Sequence, residues 1–83
     1  MEYKTFKIST HILNQLTQEI KEQIPADYYG SRIIATEAFA EKCSDAAAQG
    51  FKEIYRACDL TDGYLEKHFS NGTSTVMFIL EAC

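Results

Sequence analysis

The sequence of 83 residues has no tryptophan, only one proline, and three cysteines without any Cys-x-x-Cys spacing. A structural zinc site needs ligands at close, regular spacing, which the cysteines and the two scattered histidines lack, so no metal site is expected. Cys43, Cys58 and Cys83 are odd in number, which favours free, mostly buried thiols over a disulfide framework. The four glycines are dispersed rather than gathered in a phosphate-binding loop, so no cofactor is expected either.

The sequence also lacks a long apolar run and a cluster of basic residues. No stretch approaches the ~18 apolar residues of a membrane span, and the first residues show no signal-peptide pattern, so we expect a cytoplasmic protein without membrane contact. The net charge is −4, and the excess lies in residues 36–83, where eight acids oppose four bases. Because phosphate backbones are bound by clustered Lys and Arg, direct nucleic-acid binding is not expected.

What the chain does have is the composition of one small folded domain. It is 46% hydrophobic and 24% charged, as in ordinary globular proteins. We therefore expect residues 1–83 to form a single domain, with one layer of core side chains between a sheet and its helices. That size leaves little room for an enclosed catalytic pocket.

Two dipeptides, Asp62-Gly63 and Asn71-Gly72, give the strongest structural signal. Each supplies the positive φ angles that a two-residue hairpin turn requires. They predict an antiparallel meander with three strands, at Phe51–Thr61, Tyr64–Ser70 and Thr73–Glu81. Two-residue turns would pair Leu65 with Phe78, and Asp59 with Glu66, where the two carboxylates would repel each other.

This register divides the meander into two faces. The inner face, toward the helices, carries Arg56, Lys67 and an apolar set: Ile54, Cys58, Leu60, Leu65, Phe69, Val76, Phe78 and Leu80. The outer face mixes aromatic, aliphatic and acidic groups: Tyr55, Ala57, Asp59, Tyr64, Glu66, His68, Thr75, Met77 and Ile79. Exposed Tyr, Met and Ile in one patch indicate a partner surface. Cover by the opening strand, a helix or a second subunit is the alternative.

The first part of the chain predicts a strand over Tyr3–Ile8, then a helix that begins at Ser9 or Thr10 and ends at Pro25. The helix is predicted from five apolar residues at helical spacing: Ile12, Leu13, Leu16, Ile20 and Ile24. A loop at residues 25–31 follows. It contains Tyr28 and Tyr29, of which one is expected over the core and the other is a second candidate contact.

A short strand over Arg32–Ala35 and a second helix over Thr36–Gln49 complete the predicted order, with Gly50 as the left-handed residue that ends the helix. A rival interpretation continues this helix to residue 59, but strand-favouring residues after Gly50 argue against it. Together, the predicted elements indicate an α+β fold, in which a mostly antiparallel sheet of four to five strands has two helices on one face.

Three carboxylates repeat every four residues along the second helix, at Glu37, Glu41 and Asp45. This spacing places them on one stripe of the helix surface. The stripe is either a solvated face or an acidic docking edge, and the sequence leaves both open.

No residue set predicts catalysis. The register places Cys58 and His68 on opposite faces, and Asp59 and Glu66 lack the burial that raises a catalytic pKa. We therefore predict non-catalytic binding of another protein, as an inhibitor or adaptor, through the outer face of the meander.

Two alternatives remain. In the first, the acidic residues of the helix stripe, with Asp59 and Glu66, occupy the basic groove of a nuclease or of a DNA- or RNA-binding complex. Small acidic proteins of phages and mobile elements that block nucleases, anti-CRISPR proteins among them, are similar in size and charge. The second alternative is a homodimer formed through the apolar sheet face.

Overall fold

The computed structural model describes residues 5–14, 17, 20–59, 61 and 63–82. These form five strands and one helix, in the order β1 (Phe6–Asn14), β2 (Ile20–Tyr29), α1 (Arg32–Ala48), β3 (Lys52–Asp59), β4 (Tyr64–Ser70) and β5 (Ser74–Ala82). All pairings are antiparallel, and the strand order is β2-β1-β5-β4-β3. The predicted α+β class, antiparallel sheet and C-terminal meander are confirmed. Several residues used in the predictions lie outside the described residues: Tyr3, Leu16, Leu60, Asp62 and Cys83.

The predicted first helix is wrong, because this part of the chain forms the β1–β2 hairpin. Side chains along β1 alternate between buried and half-buried positions from Phe6 to Thr10, the two-residue period of a strand. Asn14 Oδ1 accepts a hydrogen bond from the Thr17 N–H (3.2 Å) after the strand ends. Pro25 does not end a helix. It lies within β2, an edge strand, where a missing N–H costs no ladder hydrogen bond.

The single helix begins four residues earlier than predicted, so the short strand over Arg32–Ala35 does not exist. Ser31 has extended backbone (φ −135°), and its side chain accepts a hydrogen bond from the Ile34 N–H (3.4 Å). This is the N-cap arrangement, which satisfies one of the free N–H groups of the first turn. The cap overrides the strand preference of the two isoleucines that follow.

The helix ends as predicted, at a glycine in left-handed backbone. Gly50 has φ +92°. Its N–H donates to the Ala47 carbonyl and the Phe51 N–H donates to the Ala46 carbonyl, both at 3.1 Å. These two bonds form the Schellman motif. The chain then enters β3, so the rival interpretation of a continuous helix to residue 59 is wrong.

The core lies between α1 and the central strands of the sheet. Its buried members are mainly aromatic and aliphatic: Phe6, Ile8, Ala35, Phe39, Cys43, Ala46, Phe69, Val76, Phe78 and Leu80. Phe39 from the helix meets Phe78 of β5 edge to face, with ring centroids 6.4 Å apart. Burial raises the pKa of the Cys43 thiol and keeps it neutral. Within the described residues, no helix is both long and apolar enough to cross a membrane.

The strand pairing of the meander differs from the prediction by two residues. Leu65 pairs with Leu80 rather than with Phe78, and Asp59 pairs with Tyr64 rather than with Glu66. The loop after β4 is wider than a two-residue turn because Asn71 Oδ1 accepts from the N–H groups of Thr73 and Ser74, both at 2.9 Å. A shift by an even number of residues keeps the side chains of β4, of β5 and of β3 from Tyr55 onward on their predicted faces.

Strand β3 is an exposed edge, which corrects two predicted core residues. Ile54 is 57% exposed and Cys58 is also exposed, because β3 is an edge strand and α1 packs mainly on β5 and β1. A β-bulge interrupts the β3–β4 pairing between Glu53 and Tyr55. Arg56 reaches Glu53 at 2.5 Å, so charged groups stand where the core would otherwise continue.

Candidate functional site

The side of the sheet opposite α1 is the candidate site, and we call it the open face. Among the described residues no element packs on it, since the five strands and the single helix account for all elements there. Residues that oppose each other in the register project on the same side of the sheet, so the register arranges them in rows across this face. The open face is defined by these outward residues: Lys7, Ser9, His11, Tyr28, Tyr55, Ala57, Asp59, Tyr64, Glu66, His68, Met77, Ile79 and Glu81. The next row on the same side, Leu13, Thr75 and Ser70, is left out of this definition because Thr75 and Ser70 are buried.

Cross-strand pairing brings these residues together in rows. One row runs across four strands, from Tyr55 through His68 and Met77 to His11. The next row holds Ala57, Glu66, Ile79 and Ser9. Beyond it Asp59 opposes Tyr64, while Glu81, Lys7 and Tyr28 oppose one another in turn. Opposed side chains lie ~5 Å apart at Cβ, so the rows form a continuous surface.

The open face has an apolar centre and a polar surround. Met77 and Ile79 project from β5, the middle strand, and both are half-buried among their neighbours. The aromatic side chains at the two edges are more exposed, with Tyr55 at 49% and Tyr28 at 62%. Charged Lys7 and Glu81 flank one end.

A hydrogen-bonded chain of side chains runs along β4 within this face. The Tyr64 hydroxyl donates to Glu66 Oε1, and His68 Nε2 lies 2.5 Å from Glu66 Oε2. The His68 ring in turn packs on the Tyr55 ring of β3, with centroids 4.6 Å apart and planes tilted by 36°. Residues two apart on a strand share a face, which is why Tyr64, Glu66 and His68 align.

The same contacts explain the electrostatics of the face. The hydrogen bond to Glu66 raises the pKa of Tyr64 to about 12, with burial and the charge of Glu81 contributing less. The Tyr64 hydrogen bond holds the pKa of Glu66 below its usual value, with His68 adding to the effect. The carboxylate repulsion expected between Asp59 and Glu66 is absent, because the two residues are not opposed.

The two tyrosines of the predicted loop separate. Both belong to β2, where neighbouring residues point to opposite faces. Tyr28 opposes Lys7 on the open face, while Tyr29 opposes Phe6 and packs partly buried against the core. Only Tyr28 therefore extends the surface that the meander residues form.

The helix stripe lies on the other side of the molecule. Glu37, Glu41 and Asp45 are all exposed, and α1 packs against the sheet face opposite to the open face. The neighbouring Lys42 forms an ion pair with Asp27 of β2 (3.0 Å). The helix stripe and the open-face acids are thus two separate surfaces.

Among the described residues, Cys58 and His68 are not brought together as a nucleophile and its base. His68 faces the open side, whereas Cys58 has the opposite parity on β3 and is exposed at the edge. In the part of the chain that the structure describes, no three His, Cys, Asp or Glu side chains group closely enough to hold a metal ion.

Sequence reasoning missed several members of the surface. Lys7, Ser9 and His11 join the open face through β1. The helical interpretation of residues 9–25 hid the alternation of Ser9 and His11, and the predicted strand that holds Lys7 was given no partner in the meander. It also missed a second apolar patch at the start of α1, where Ile33 and Ile34 are 72% and 56% exposed. The signal available was Ser31, a residue typical of helix N-caps.

Comparison of the chain with known protein families, with curated proteins and with solved structures finds no match.

Proposed function

We propose that the protein is a non-catalytic module that binds another protein, as an inhibitor or adaptor, through the open face. The observation that carries the proposal is the uncovered sheet face with Met77 and Ile79 at its centre and tyrosines toward its edges. Apolar centres enriched in Tyr and Met, surrounded by polar groups, are typical of protein interfaces.

The size of the face supports the same proposal. Five strands at ~4.8 Å spacing and seven residues at ~3.3 Å per residue span roughly 24 by 23 Å. A partner on a stable interface buries ~800 Å² of accessible surface. The flat area of about 550 Å² is of the same order as that buried area.

The nucleic-acid mimic is the weaker proposal. The helix stripe and the open-face carboxylates lie on opposite sides of the sheet, so one basic groove contacts only one of them. On the open face, both oxygens of Glu66 already have partners within the chain. These oxygens are therefore less available to the basic side chains of a groove.

The first prediction tests the open face by variants. Met77→Glu places a charge at the apolar centre, and Tyr64→Ala removes a ring. Both are expected to reduce capture of a specific partner from a cell lysate by at least about tenfold, since truncation at an interface centre costs ~2 kcal/mol or more. Quantitative mass spectrometry of the captured proteins measures the effect.

Ile33→Glu is the matched control, since it introduces the same charge at an exposed apolar residue on the helix side. It should capture the partner as the natural chain does. Loss of capture in Ile33→Glu but not in Met77→Glu would show that the partner binds at the helix and not at the open face. A solution mass twice that of the monomer, abolished by Met77→Glu, would instead identify a homodimer.

Ionic strength separates the two kinds of binding. Raising salt from about 0.1 to 1 M shortens the screening length from ~10 to ~3 Å. Binding through the apolar centre should change little, whereas binding as an acidic mimic should collapse.

A further inference from the structure

We propose that Glu66 is the positioning residue of the open face: its carboxylate holds Tyr64, His68 and, through His68, Tyr55 in the conformation that a partner contacts. This inference rests on the proposed function. It adds that the rings are ordered before any partner arrives, and it names the one side chain on which that order depends.

The two carboxylate oxygens of Glu66 contact different neighbouring side chains. Oε1 accepts from the Tyr64 hydroxyl, and Oε2 lies 2.5 Å from His68 Nε2. Both neighbours are on the same strand, two residues before and two residues after Glu66. The side chains of Glu66 and His68 are 18% and 21% exposed, so the contact is largely shielded from water.

The restraint that Glu66 places on His68 extends to β3 through the contact between the His68 and Tyr55 rings. His68 opposes Tyr55 in the β3–β4 register, and their centroids are 4.6 Å apart. Tyr55 lies on an edge strand and is 49% exposed, so its other side is open to solvent. Among the described residues, the His68 ring is the aromatic neighbour against which it packs.

Fixing side chains before binding removes part of the entropy cost of association. A carboxylate with two donors restrains more freedom than an isolated hydrogen bond, because neither neighbour can rotate without breaking a charge-assisted contact. Glu66 itself lies between the rings rather than above them. Its contribution to binding is therefore through Tyr64 and His68.

The experiment uses the protein alone, with protons as the probe. Absorbance at the tyrosinate band is followed with pH for the natural chain, Glu66→Gln and Glu81→Gln, and the Tyr64→Phe variant assigns the transition. In the natural chain one tyrosine should titrate near pH 12. In Glu66→Gln it should return toward 10, the ordinary value. Glu81→Gln, which removes a carboxylate without a hydrogen bond to Tyr64, should move it much less.

Ring order is read separately by NMR. In Glu66→Gln the ring resonances of Tyr55, Tyr64 and His68 should move toward averaged values, while those of Phe78 in the core stay unchanged. Resonances of the three rings that do not respond would overturn the inference, as would a titration that is the same in Glu66→Gln and the natural chain.

Capture from the lysate distinguishes this inference from the proposed function. Glu66→Gln should weaken capture by about three- to tenfold, less than Met77→Glu. If the rings loosen and capture is unchanged, the positioning role in binding is wrong while the proposed function stands. If Met77→Glu and Tyr64→Ala both capture normally, the proposed function itself is wrong.

Discussion

Two carboxylates of the sheet, Glu53 and Glu66, are held in different ways. On the helix side, Glu53 accepts from Arg56 at 2.5 Å and lies 3.3 Å from Lys67. These charged partners, the Arg56 hydrogen bond first, lower the pKa of Glu53. On the open face, Glu66 is held mainly by the hydroxyl of Tyr64, a neutral donor. Salt therefore screens the first contact more than the second.

The raised pKa of Tyr64 predicts a loss of stability in alkali. The folded chain keeps the proton up to about pH 12, whereas an unfolded tyrosine loses it near 10. The stability that protonated Tyr64 contributes to the fold is thus fully present below pH 10 and is lost as the pH rises from 10 to 12. Because the side chain is partly solvated, we expect a loss on the order of 1–2 kcal/mol.

Denaturant unfolding at pH 9 and pH 11.5 measures this loss, with Tyr64→Phe as the control. The variant lacks the hydroxyl, so its free energy of unfolding should fall less over the same interval. Parallel curves for the two proteins would contradict the assignment.

At the level of elements, the ends of the helix and the width of the turns decide the fold. Ser31 sets the start of α1 and Gly50 its end, through local hydrogen bonds. The turn after β4 is set by Asn71, whose side chain replaces backbone partners. Each of these effects is local in sequence, but only the one at Gly50 has an unambiguous residue signal.

The left-handed backbone at Gly50 predicts an asymmetry between two glycines. Gly50→Ala should destabilise the fold by about 1 kcal/mol, because a side chain at positive φ is strained. Gly30→Ala is the control, as its added Cβ meets no atom within 4 Å and its φ is not positive. The melting temperature should fall by roughly 4–8 °C in the first variant and little in the second.

How far the sequence predicts this molecule depends on the element. The faces of the meander were predicted correctly although both pairings were shifted, because a shift of two residues preserves side-chain parity. The first hairpin was not predicted. Apolar residues at 12, 13, 16, 20 and 24 fit a helix, whereas the alternation of Phe6, Ile8 and Thr10 fits a strand. Long-range pairing with β5 decides between the two.

The residues of the candidate site also divide into those that local sequence signals predict and those that distant contacts position. Its meander members, such as Tyr64 and Met77, were placed on one face by turn signals within a few residues of them. The pairing of Tyr28 and Lys7 on that face depends on β1 and β2, which join the sheet through contacts distant in sequence. No local pattern reports such contacts. The hydrogen bonds of Glu66 require side-chain positions and were beyond sequence reasoning.

At the level of the whole molecule, β5 connects two hairpins. It pairs with β1 on one side and with β4 on the other, so within the sheet it joins the β1–β2 hairpin to the β3–β4 hairpin. Its buried residues Val76, Phe78 and Leu80 also face the helix. We therefore expect the sheet to fold and unfold as one unit.

Phe78→Ala tests this connection. Phe78 is 6% exposed and contacts Phe39 and Phe69. Its truncation should cost ~3–5 kcal/mol, a large part of the stability of a domain this small. Amide exchange should accelerate in both hairpins together. Ile33→Ala, at an exposed site, should leave exchange unchanged.

The two outer strands, β2 and β3, limit how copies of the protein can associate. β2 carries Pro25 and an irregular register, and β3 carries a bulge with Glu53 and Arg56 turned toward the helix side. Natural proteins use such features to prevent strand addition at a sheet edge. This chain should therefore associate through contacts on its faces rather than by strand addition at its edges. Even at high concentration it should stay dispersed and not grow into fibres.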